Sequence, residues 1–343
     1  MRPKARSATT AVTVRAYRDD DLSSVLELLD VTLGGGPAGR RPPEYFRWKH
    51  LINPFGRSFM LVAEADDRIV GLRAFMRWEF DAHDRRFRAV RAVDTATHPD
   101  YQGRGIFSRL TLQALDVLRE EADFVFNTPN EKSLPGYLKL GWRVVGRVPV
   151  YVRVRRPIRF AAGSRSWRTA TETRDIPMSS ARMASDVLAA DDLDGLLGDR
   201  EPPSGIATIR DEAYLRWRYA DAPLLGYRAI EEREQGRLRA LAIFRIRSRG
   251  SLLEATVPEV IVRAGDVPTA GRVLRATGRS APVDHLACSF WPGSTALRAA
   301  RRGGFVRTSR GVTLVVNDLG HRLDPDPSDL RSWALTAGDL EVF

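Results

Sequence analysis

Residues 93–110, VDTATHPDYQGRGIFSRL, limit the possible folds of this chain more than any other stretch: an extended segment runs into a Gly-rich turn, and the turn opens directly into a helix. Gly103 and Gly105 lack a Cβ, so their backbone can approach an anion closely and adopt dihedrals that other residues avoid. The first N–H groups of the following helix, near residues 105–108, have no intrahelical partner and lie at the positive end of the helix dipole. A diphosphate satisfies both conditions. Arg104 and Arg109 add charge of the kind that holds phosphate oxygens bidentately.

The flanking chain alternates in the same manner. Residues 13–17 read as a strand, followed by a helix carrying Leu22, Val25, Leu26, Leu28 and Leu29 after the acidic cap of residues 19–21. The glycines of residues 34–40 approach a P-loop but lack its Lys and Ser or Thr, which leaves a loop. Residues 43–51 read as helical, with Phe46 and His50 on one face and Trp48 on another. Residues 60–65 and 69–80 form two strands joined by a hairpin turn at Asp66, Asp67 and Arg68. A strand over 87–97 leads into the Gly-rich turn, and residues 106–122 repeat apolar positions at helical spacing. A short buried strand at 124–126 follows, then a helix over 133–140 with Pro135 in its first turn and Gly141 just past its end, then a strand over 143–154.

Gln102 and Gly105 in this setting resemble the acetyl-CoA signature Q/R-x-x-G-x-G/A of the GNAT superfamily of N-acyltransferases, with Phe107 standing where Gly or Ala is usual. Asn130, Ser133, Tyr137, Gly141 and Trp142 are similar to its second signature, N-x-x-A-x-x-x-Y-x-x-x-G-F, and the order β-α-α-β-β-β-α-β-α-β matches that family. The resemblance implies an α/β fold in which a mixed, mostly antiparallel sheet is flanked by helices.

Tyr45-Phe46-Arg47-Trp48-Lys49 returns as Tyr214-Leu215-Arg216-Trp217-Arg218, an offset of 169 residues. Pro54 and Pro223, Arg68 and Arg237, Leu72 and Leu241, and Phe75 and Phe244 share it. The reading is two tandem GNAT-like domains: an acyltransferase domain over 1–155, a linker over 156–184, a degenerate copy over 185–318, and a tail over 319–343 anchored by Trp333. The second copy lacks the site, because single glycines and Pro268 stand where a Gly-rich turn would open a helix and no tyrosine precedes Gly303 and Gly304. It either shapes the substrate side of the first domain or only stabilises it.

A length of 343 residues suits two domains, and 43% hydrophobic and 28% charged content fit a soluble protein with no run long enough to span a membrane. The basic N-terminus has no apolar core and is not read as a signal peptide. Cys288 is the only cysteine, so no intramolecular disulfide forms and a cytoplasmic location is the default. The net charge of +11 comes almost wholly from arginine spread along the chain, with lysine only at positions 4, 49, 132 and 139. That is what a GC-rich genome gives, and it favours anionic small ligands over nucleic acid.

Direct acyl transfer needs an acid for the leaving thiolate, donors for the oxyanion and a base for the amine. Tyr137, a phenol able to protonate a thiolate, is also where the resemblance implies the acid. Its alternative is a core tyrosine. Backbone N–H groups around Thr95, Ala96 and Thr97 are the expected oxyanion donors, and Asn130 either orients the site or caps the next helix. Asp94 interrupts an apolar strand and is the candidate base, unless it only fixes the turn. Glu131, His98, Asp339, Glu341 and the terminal carboxylate of Phe343 are further candidates. With Gln102, Gly103, Arg104, Gly105, Ile106, Phe107 and Ser133, the residues 95–97 form the expected acetyl-CoA site. The histidines show no metal-ligand spacing, so no metal is expected.

The expected activity is acetyl-CoA-dependent N-acyl transfer to a primary amine of a small molecule, through a ternary complex. Two alternatives stand beside it: a peptidoglycan-bridge-type aminoacyltransferase using charged tRNA, and a non-catalytic CoA-binding regulatory module.

Overall fold

The computed structural model describes residues 11–34, 42–82, 85–163, 178–190 and 192–340. Most of the loop expected at 34–40, residues 164–177 of the expected linker, His83, Glu341 and Phe343 lie outside them. The first half runs β1 (Thr13–Ala16), α1 (Leu22–Leu33), α2 (Pro43–His50), β2 (Phe59–Ala65), β3 (Arg68–Ala82), β4 (Arg85–Thr97), α3 (Ile106–Glu121), β5 (Phe124–Asn127), α4 (Leu134–Lys139) and β6 (Arg143–Val154). A short helix, α5 (Pro157–Gly163), begins the stretch expected to be a linker, and β7 (Arg182–Met183), α6 (Ala184–Leu188), α7 (Leu193–Asp199), β8 (Ala207–Thr208) and α8 (Glu212–Leu215) follow. The chain closes with β9 (Arg228–Glu234), β10 (Arg237–Arg249), β11 (Leu252–Val262), α9 (Val267–Arg279), β12 (His285–Cys288), α10 (Thr295–Arg302), β13 (Val306–Asn317) and α11 (Ala337–Leu340).

Local chemistry accounts for the boundaries. Asp66 and Asp67 both take positive φ, 50° and 56°, in the β2–β3 hairpin, where a mirror-image turn matches the twist of the strands. Pro135 occupies the first turn of α4, where its missing N–H leaves no hydrogen bond unmade, and Gly141 at φ 92° ends the segment. Pro268 sits likewise in the first turn of α9, so it begins that helix rather than interrupting it.

One sheet joins both halves, in the order β1-β2-β3-β4-β5-β13-β6-β12-β11-β10-β9-β7, with β8 paired to β3. Among the described strands only β4–β5 and β11–β12 form parallel ladders. At the centre the last strands change places: β13 pairs with β5 of the first half, and β6 with β12 of the second. From β2 to β9 the order is unchanged when the halves are exchanged. Trp48 and Trp217 meet face to face, rings 5.2 Å apart, and each indole N–H donates to the other's carbonyl, at 2.7 and 2.9 Å. Such reciprocity is the signature of a two-fold contact.

Three apolar clusters hold the sheet. One, containing Phe46, Trp48, Trp78, Trp217 and Trp333, lies between the halves. A second packs α9 and α10 on the second half, and a third packs α3 and α4 on the first. Trp333 is buried against Phe80, Phe124 and Phe126, which holds the tail across the first half. Its continuation is pinned by Arg91, which donates to the carbonyls of Asp339 and Leu340.

Candidate active site

β5 pairs with β4 only over Ala89–Arg91 opposite Phe124–Phe126, so the two parallel strands part and the edge of β4 beyond residue 91 is left open. A cavity of about 350 Å³ runs along that edge. Eight of the ten residues expected to hold the cofactor line it: Thr95, Ala96, Thr97, Gln102, Gly103, Gly105, Ile106 and Phe107. Thr32, Leu33 and Tyr101 complete the wall. Gly103 and Gly105 are left-handed, at φ 76° and 74°, and nothing lies within 4 Å of where a Cβ would stand on either. The backbone at the start of α3 therefore faces open space, as a phosphate cradle requires. Gln102 Nε2 donates to the carbonyl of Thr97 at 3.2 Å and closes the turn.

Two expected residues are turned elsewhere. Arg104 lies over the Tyr101 ring, and Ser133 bonds to Asn130, so neither lines the cavity. Arg109, expected to add charge, donates instead to the carbonyl of Val12. Asn130 Oδ1 accepts from the N–H groups of Lys132 and Ser133, at 3.0 and 2.9 Å, which makes it a capping side chain ahead of α4.

Tyr137, 6% exposed, stands on α4 with its ring edge-on to Phe107 and Trp142. Its hydroxyl oxygen accepts from Arg73 NH1 at 3.1 Å. A Cβ at Gly136 would stand 3.4 Å from the Phe107 ring, an ordinary contact, so the ring packs against α4 at that position.

Asp94 bulges from β4: it has φ 36°, and the register with β3 slips beside it, between Arg73–Thr95 and Ala74–Val93. Its carboxylate accepts from Lys49 Nζ at 2.7 Å and pairs with His50 Nε2 at 2.9 Å, and His50 Nδ1 bonds to Ser58 Oγ at 2.9 Å. All three charged or titratable partners are nearly fully buried. Asp94 therefore serves the α2 side of the sheet, while Tyr137 serves the α3–α4 side. Lys49, His50 and Arg73 were not anticipated. Arg73 did carry a readable signal, since a charge in the run IVGLRAFM interrupts an apolar strand as Asp94 does.

The matching region of the second half is largely taken up by its own chain, which leaves a smaller cavity of about 50 Å³. Arg200 bridges to Arg263 just past β11, and the N–H of Ala264 donates to the carbonyl of Asp199. Glu201 accepts from the N–H and hydroxyl of Thr295 at the start of α10. The N-terminus of α9 is capped by the Asp266 carboxylate, which takes the N–H of Thr269 and places negative charge where the first half has its open glycine turn.

Elsewhere, His98, a further base candidate, stands at the turn before Gln102 and accepts from the N–H of Asp100. Asp339 is buried and accepts from Thr208 at 2.6 Å and Arg210 at 2.6 Å.

Residues 13–145 match the model of the acetyltransferase (GNAT) domain. No curated protein matches the chain in sequence. Among solved structures it resembles a GCN5-related N-acetyltransferase from Anabaena variabilis ATCC 29413, at 13% identity and TM-score 0.61, over 90% of this chain and 73% of that one. It also resembles a GCN5-related N-acetyltransferase from Kribbella flavida, at 16% identity and TM-score 0.58, over 90% and 71%. A conserved protein of unknown function from Enterococcus faecalis V583 is similar at 13% identity and TM-score 0.59, over 90% and 72%. The chain thus resembles the acetyltransferase (GNAT) domain over residues 13–145, and its fold is similar to that of GCN5-related N-acetyltransferases over most of its length.

Proposed function

We propose that the protein transfers an acyl group from acetyl-CoA directly to a primary amine of a small molecule, at the parting of β4 and β5. One observation carries the reading: the cavity joins the open glycine turn at the start of α3 to the bare edge of β4, with Phe107 in its wall and Tyr137 against Phe107. In this reading the N–H groups at Gly105 and the first turn of α3 hold the diphosphate, and backbone donors of residues 95–97 face the thioester oxygen. Tyr137 gives its phenolic proton to the leaving sulfur. The geometry favours Asp94 as the residue that fixes the bulge, through Lys49 and His50, and Asn130 as a cap.

We read the second half as a divergent copy of the first that binds no cofactor of its own. The repeated Tyr-x-Arg-Trp segment, the exchange symmetry of the strand order and the smaller cavity, about 50 Å³, beside the Arg200–Arg263 bridge support this. A panel of amino sugars, polyamines and amino acid derivatives, assayed for free thiol with acetyl-CoA, tests the activity. Tyr137→Phe is expected to lower kcat by about 10²-fold or more with acetyl-CoA binding retained. An unchanged kcat would remove Tyr137 from the chemistry.

A further inference from the structure

Arg73 is fully buried, yet no carboxylate bonds to it among the described residues. Its NH1 donates to Thr95 Oγ1 and to Tyr137 Oη, whereas Nε and NH2 have no partner among the described residues. The guanidinium is held instead by rings, 4.5 Å from the centroid of Phe75, 5.2 Å from Tyr137 and 5.5 Å from Phe107. A buried cation without an anion is costly, and aromatic faces offset only part of that cost. A chain that keeps one beside β4 has a use for positive charge there, and among the described residues the hydroxyls it donates to are those of Thr95 and Tyr137.

We propose that Arg73 is the positioning residue of Tyr137, an inference that rests on the acyltransferase reading above. Tyr137 Oη accepts from NH1, and a guanidinium has no acceptor to offer in return, so the phenolic proton stays available to an acceptor other than Arg73. As the amine N–C bond forms and the C–S bond breaks, the electron pair goes to sulfur and the phenolic proton follows it. The phenolate left behind is formed against a fixed guanidinium, in a site where charge is weakly screened. The proton shed by the amine nitrogen passes to solvent, which restores the phenol. Arg73 thus acts on the leaving group without touching it, and Thr95 sets its height on the strand.

The test is a double-mutant cycle in the full-length protein. Arg73→Gln is expected to lower kcat with acetyl-CoA and the best amine of the panel by about 10²-fold, the usual scale of acid catalysis. KM and the calorimetric dissociation constant for acetyl-CoA stay within about threefold. In the Tyr137→Phe background the same change costs less than about threefold, because the group it serves is gone. Arg73→Lys keeps the charge and restores part of kcat. Equal losses in both backgrounds, or a loss confined to KM, would overturn the proposal and leave Arg73 a packing residue. Should the glutamine variant not fold, Arg73→Lys in the two backgrounds decides by the same criterion. A wild-type protein that releases thiol with no amine sinks the acyltransferase reading itself, whereas turnover with additive losses sinks only the role of Arg73.

Discussion

Asp94 is the residue on which the two sides of the sheet meet. Its positive φ makes the β4 bulge, and its carboxylate neutralises a lysine only 2% exposed. Removing one partner of a buried ion pair leaves the other uncompensated, at a cost of about 3–5 kcal/mol. Asp94→Ala is therefore expected to lose about that much stability in urea denaturation. A loss below about 1 kcal/mol would mean that Lys49 finds its counter-charge elsewhere. The isosteric Asp94→Asn also tests its role in the reaction: if Asp94 only fixes the bulge, KM for acetyl-CoA rises while the shape of the pH–rate profile is kept. The type of residue was readable from the sequence, because a charge in an apolar strand demands a partner. The partners were not, since Lys49 and His50 lie 45 and 44 positions away and only the packing of α2 brings them in.

At the scale of elements, what was legible is what local chemistry decides. The hairpin at Asp66–Asp67, the glycine turn before α3 and the proline start of α4 each follow from residues within a few positions, and the structure places them at those positions. Pro268 is where local chemistry stops deciding: the residue that breaks a helix interior is harmless in a first turn, and only the true start of α9 separates the cases. Strand ends also carry long-range charge. Glu254 on β11 faces Arg247 and Arg249 of β10 and His285 of β12. Burial pushes its carboxyl up, but Arg247, the His285 hydrogen bond and Arg249 outweigh that and hold it well below its ordinary value. An acid so depressed contributes stability that is complete above the unfolded value near 4.3 and is lost as pH falls through the folded one. Glu254→Gln is thus expected to cost most at neutral pH, with the gap to wild type closing below about pH 4. Urea midpoints measured from pH 3 to 7 that stay parallel would contradict this.

For the whole molecule, the exchange of β6 and β13 matters most. No local pattern announces it, because each strand has the same apolar alternation whichever neighbour it pairs with. Its consequence is that neither half can open without breaking the other's sheet, and the reciprocal Trp48–Trp217 contact joins α2 to the π-helical turn of residues 216–220 that follows α8. Calorimetric unfolding is expected to show one transition with equal van't Hoff and calorimetric enthalpies, and two resolved transitions would contradict a shared sheet. The same asymmetry within symmetry bears on function: a cavity of about 350 Å³ stands open in the first half, while the second is crossed by residues 199–201. The most direct measurement is calorimetric titration of acetyl-CoA into the wild-type protein and into Gly105→Glu, with folding of both checked by thermal melting. One site per chain, lost when a carboxylate is set against the cradle, is the predicted result. No binding by the wild type, two sites per chain, or binding that survives in a folded Gly105→Glu variant would contradict it.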